Sequence, residues 1–146
     1  MTIAHRRFKG GTAQWTPEGE SPVTLTGVRM IRFGEGAQAV ELIADGNEIV
    51  EEECLHSLKG RISVTILNQD HMAELPLGLG AFQFDMEKVK SGRGAVAGAD
   101  KRVTFGKCNL VDKDSGAGSE AGEETTLQMS AVDNGAGALY TYADAT

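Results

Sequence analysis

Proline occurs only three times in 146 residues, aromatic side chains make up 5%, and there are two cysteines and three histidines. So few prolines exclude a stiff, extended Pro-rich linker. So few aromatics imply a core that rests mainly on aliphatic side chains. Cys54 and Cys108 can form at most one disulfide, and their spacing lends it no support, which excludes a disulfide-rich scaffold. No apolar run approaches the roughly 20 residues of a membrane-spanning helix. The first residues, Met1 to Lys9, are basic but no apolar stretch follows them, so a secretory leader is not expected. These absences describe a soluble protein of a reducing cytosol.

Positive charge is also short: 14 basic residues stand against 21 acidic ones, for a net charge of −7. A dedicated nucleic-acid binder gains its affinity by neutralising phosphates with Lys and Arg, and this balance argues against one. It suits a surface that repels polyanions. What the chain has instead is glycine, 19 residues of it, which signals turns and slack loop tips. The length fits one domain, residues 1–146, that can bury a core without metal or disulfide staples.

Period-2 alternation dominates. Residues 1–20 read as an N-terminal arm ending in a turn. Val23, Leu25, Val28, Met30 and Phe33 alternate with polar neighbours until Gly34-Glu35-Gly36 breaks the strand. A second run, Ala37 to Ala44, meets Asp45-Gly46, a hairpin signal because glycine accepts positive φ. Glu48 to Glu53 returns, so residues 37–53 form an acidic hairpin. Ile62, Val64 and Ile66 make one face of the cleanest strand. Asn68 is placed to cap a short helix carrying Met72 and Leu75, ended by Pro76. Phe82, Phe84 and Met86 restore alternation, and Val89 to Lys101 reads as a Gly/Ala-rich loop. Arg102–Val111 and Thr125–Ala131 form the arms of a hairpin around a flexible loop, 112–123, and Ala138–Tyr142 adds an edge strand. The fold class is therefore mainly β, a β-sandwich or barrel of about seven or eight strands with one short flanking α-helix.

Chemistry-bearing constellations are thin. Cys54, His56, His71 and Cys108 lack the two closely spaced ligand pairs of a structural zinc site. Cys108 lies in a strand pattern between Lys107 and Asn109, without the helix-start setting that activates a thiol. Gly92, Gly94 and Gly98 have neither the phosphate-loop ending nor the dinucleotide spacing. No catalytic residue, metal or cofactor is expected, and the protein is not read as an enzyme.

Charge distribution says more. From Gly34 to Leu58 there are seven acidic residues and no Lys or Arg, whereas from Lys88 to Lys107 six basic residues face Asp100 alone. Two unrelated solvated loops would account for this. The sharper reading is head-to-tail complementarity between copies, which generates rings and stacks. The candidate subunit contacts are Glu48, Glu51, Glu52 and Glu53 on one side and Lys88, Lys90, Arg93, Lys101 and Arg102 on the other.

The order of a strand, an acidic hairpin, Gly60–Leu67 entering a short helix at Asn68–Leu75, and a closing Val103–Ala131 hairpin with a Gly/Ser-rich loop resembles the tail tube proteins of tailed bacteriophages. These are similar in fold to type VI secretion tube proteins. The resemblance covers about residues 20 to 132 and rests on pattern and order. It implies a virion protein, made in the host cytoplasm, whose six copies form a ring and in which residues 37–53 would be a protruding acidic hairpin. Rings stack into a hollow tail tube with an acidic lumen that double-stranded DNA crosses without specific binding, and no membrane is involved. Sheath, baseplate or tail-terminator proteins are the further partners it implies. The alternatives are a small β-sandwich binding module for a carbohydrate or protein ligand, or another virion tail or baseplate component.

Overall fold

The alternating segments become nine antiparallel strands of one sheet in a computed structural model that describes residues 5–42, 52–89, 100–117 and 122–145. The strands are β1 (His5–Phe8), β2 (Gln14–Pro17), β3 (Val23–Thr24), β4 (Val28–Leu42), β5 (Glu52–Ile66), β6 (Gly78–Val89), β7 (Lys101–Ala117), β8 (Gly122–Ala131) and β9 (Thr141–Asp144). One short helix, α1 (His71–Glu74), lies between β5 and β6. The sheet runs β3-β2-β6-β7-β8-β5-β4, with β1 also on β6 and β9 also on β7. The protein is thus mainly β with one short helix, as its alternation implies. The described residues form nine strands where about seven or eight were expected, and their sheet is not closed into a barrel.

The sheet curls strongly enough for its β4 edge to reach back over β6 and β7. Phe33 on β4 sits 5.4 Å, ring centre to ring centre, from Phe84 on β6 and 6.0 Å from Phe105 on β7. Phe8, Phe82 and Tyr140 complete the cluster. All five phenylalanines therefore gather in one place, and the three buried ones, Phe82, Phe84 and Phe105, give the core with Trp15 an aromatic part that the low aromatic content did not suggest. Ile62, Val64 and Ile66 of β5 and Leu127 and Met129 of β8 supply the aliphatic part. Each such side chain contributes about 1.5–3 kcal/mol on burial.

Three expectations need correction. Residues 1–20 are not a free arm over their described part. β1 pairs with β6, β2 lies between β3 and β6, and Trp15 is fully buried. Gly34-Glu35-Gly36 does not break a strand either: β4 runs through it, paired with β5 from Val28 to Leu42. Glycine lowers strand propensity, but a long partner strand overrides it. The loop expected at 112–123 is in its first half strand, because β7 continues to Ala117 opposite β8.

Polar clips hold that β7 extension and α1 together. The Lys113 ammonium donates to the carbonyls of Met72 and Leu75, and the Gln69 amide donates to Ser115 Oγ and the Gly116 carbonyl. Asn68 does not cap the helix from the expected position. Asp70 is the N-cap residue and makes no side-chain capping bond, while the Asn68 amide oxygen accepts from the Asp70 N–H. Leu75 is fully buried beneath the clip.

Candidate functional site

The β4–β5 hairpin outruns the rest of the sheet. β5 pairs with β8 only from Gly60 to Ile66, so among the described residues Glu52 to Lys59 pair with β4 alone. Gly60 marks the departure point, since a Cβ there would lie 2.8 Å from the Ala131 Cβ. Beyond it a two-stranded ribbon leaves the body, exposed at Glu35, Gly36, Ala37, Ser57, Leu58 and Lys59. An extra residue at Ser57 and Leu58, opposite Ala37, bends the ribbon, and Ser57 takes φ of +57° to make the bulge.

Glu52 and Glu53 open β5 opposite Leu42 and Glu41, so Glu41 and Glu53 share one register position. Glu48 and Glu51 lie outside the described residues, as do the expected Asp45-Gly46 turn and the basic Lys90 and Arg93. Lys88 sits near the end of β6, opposite Arg6 of β1. Lys101 and Arg102 open β7, but each meets a carboxylate of its own chain. The Lys101 ammonium pairs with Asp144, and Arg102 grips the buried Asp85 with Nε at 2.8 Å and a second nitrogen at 3.3 Å. The basic loop is therefore not a set of unpartnered charges. The Asp85 carboxylate raises the Arg102 guanidinium further, and the Asp100 carboxylate raises Lys9, first through the hydrogen bond between them.

Two residues absent from the sequence-derived set join this region: Arg6 and Asp144. The signal for Arg6 was present, since His5 to Phe8 is short and basic, but it was read as an arm instead of an edge strand. Asp144 could be found only through the pairing of β9 with β7.

Groups that could carry covalent chemistry are quiet. Cys108 is fully buried, and burial pushes its thiol up to about 12, against a weaker pull from the Phe82 backbone. It is a protonated core residue at neutral pH. His71 is buried, its Nε2 accepting the Thr26 N–H at 3.0 Å while Nδ1 faces Glu74 at 2.9 Å. Among the described residues no three of His, Cys, Asp and Glu gather to hold a metal ion. A groove of about 590 Å³ lies between the ribbon base and the Asp133–Tyr142 segment, lined in part by Glu35, Leu58, Leu139, Tyr140 and Tyr142. Set against protein-family models and against curated proteins, the chain matches none.

Proposed function

We propose that this chain is a structural subunit of a phage-like tail tube, closing in six copies into a ring and stacking ring upon ring. Double-stranded DNA would cross its lumen, and an acidic wall keeps that DNA from adhering, in accord with the net charge of −7. The observation that carries the reading is the protruding ribbon. Among the described residues no third strand joins it beyond Gly60, and a two-stranded hairpin alone is marginal in water, so a ribbon of this kind is best supported by docking onto a neighbour. Negative-stain microscopy of concentrated protein tests it: rings or tubes with a central hole are expected, and particles that stay monomeric at every concentration would sink it.

The groove at the ribbon base favours a second reading, a binding module for a carbohydrate or peptide, since Tyr140 and Tyr142 offer aromatic surface there. That reading expects a saturable rise in melting temperature with ligand and no rings.

A further inference from the structure

Gly34 and Gly36 lie in the interior of β4 at positions where the fold does not call for glycine. Neither takes positive φ, and a Cβ on either would meet nothing within 4 Å. Glycine weakens a strand interior, so two of them mark a place where another group approaches the backbone closely. The register shows what surrounds that place. Arg61 of β5 stands opposite Gly34 and Lys59 opposite Gly36, all on one face. With Ala37 and the Ser57 bulge these residues line a trough of about 680 Å³. Glu35 borders the trough from between the two glycines, but period 2 sends its side chain to the opposite face, toward the groove at the ribbon base. Lys59 and Arg61 are exposed, and among the described residues neither meets a carboxylate. Their neighbours on this face, Ser63, Gln128 and Ser130, are neutral. Ser130, opposite Arg61 on β8, is only 7% exposed, and its Oγ has no hydrogen-bond partner among the described residues.

We infer that this trough is an anion site that holds the phosphate group of a small phosphate monoester between Lys59 and Arg61. Two residues along a strand span roughly 7 Å, so two long cationic side chains on one face can close on a single tetrahedral group. The Arg61 guanidinium presents a planar fork to two phosphate oxygens, and the Lys59 ammonium adds a compact point charge. Two positive charges match the dianion that a phosphate monoester carries above about pH 6. The Ser130 hydroxyl beside Arg61 is a further donor that the fold leaves unspent. With no side chain on Gly34 and Gly36, the ligand rests directly on the β4 backbone. The net charge of −7 disfavours a long polyanion, whereas a small dianion meets mainly the local field of the two cations. The site does not depend on whether copies of the chain assemble.

The test titrates inorganic phosphate into the full-length protein by calorimetry, at low salt and mildly alkaline pH. Saturable binding is expected, and Arg61→Gln and Lys59→Gln should each weaken it about tenfold or more, since charge-assisted hydrogen bonds are the strong ones. Arg7→Gln, on β1 where Arg7 pairs with Glu87, removes the same charge and should leave phosphate binding unchanged. Gly34→Ala with Gly36→Ala separates the site from the fold. Alanine suits ordinary strand φ better than glycine, so the melting temperature should hold or rise while phosphate binding falls. Phosphate that fails to saturate, or that binds the two Gln variants or the alanine pair as well as the wild type, would overturn the inference. A duplex oligonucleotide without terminal phosphates is the second probe. If it binds through Lys59 and Arg61 and inorganic phosphate does not displace it, the face reads nucleic acid and the small-anion site is refuted.

Discussion

Gly80 shows at a single residue how tightly the sheet is specified. A Cβ on it would lie 2.5 Å from the Thr16 carbonyl oxygen and 2.7 Å from the Trp15 ring. Neither can yield, one being backbone and the other fully buried. Gly80→Ala is expected to cost about 2–3 kcal/mol, the upper range for overpacking, measured by urea unfolding. Trp15 is the only tryptophan, so its fluorescence reports that unfolding directly. Cys108 gives a second residue-scale prediction. Its folded-state value is raised, so the neutral thiol favours the folded protein fully below about pH 8.5, where an exposed thiol begins to ionise. That stability drains away as the pH climbs from there toward about 12. A thiol reagent should therefore leave the native protein untouched at pH 7 and react once it is unfolded. Rapid labelling of the folded chain would contradict the buried placement.

Among elements, the ribbon and β9 are the weakly held ones. Ser57 keeps a left-handed backbone that a β-branched side chain resists, so Ser57→Val should cost about 1–2 kcal/mol although the position is exposed. Amide exchange should be fastest in 34–42 and 52–59 and slowest in the facing parts of β6, β7 and β8, which hold the core. β9 is exposed along its length and tied down by Lys101. The Asp144 carboxyl has a lowered value, so its contribution is present above the ordinary carboxylate range and lost as the pH falls through the lowered one. Acid should release this strand before the core opens. The individual strands were legible because Ile62/Val64/Ile66 and Phe82/Phe84 alternate cleanly. The extent of β7 was not. Phe105 and Cys108 are both buried although three residues apart, and the extra residue is absorbed by a bulge opposite Gly80 and Phe82 that breaks the period. Its Gly/Ser-rich continuation looks like loop until β8 and the Lys113 and Gln69 clips are placed beside it.

On the scale of the whole molecule, the split between acidic and basic segments was visible in the chain, but how each charge is spent was not. Arg102 is consumed by Asp85, seventeen residues away, and only the β6–β7 register brings the two together. Arg6 and Asp144 meet Lys88 and Lys101 from opposite ends of the chain, a proximity that no local pattern encodes. Raising salt should leave the monomer's melting temperature nearly unchanged, because exposed ion pairs contribute little, while shifting any assembly toward free subunits. A melting temperature that falls steeply with salt would mean that the surface pairs matter more to the fold than to assembly.

The sheet order also dictates a folding schedule. β2 must wait for β6, with Gln14 pairing to Gln83, and β5 must wait for β8, with Val64 pairing to Leu127. The β2–β3, β4–β5, β6–β7 and β7–β8 hairpins are local. During synthesis the ribbon can therefore zip early, while the edge of β5 that later receives β8 is still bare. Closing these non-local pairings is slow, on the millisecond-to-second scale typical of β topologies. A nascent chain truncated before Gly122 would present that bare edge to any strand at hand, and such truncated forms are expected to aggregate where the full chain stays soluble.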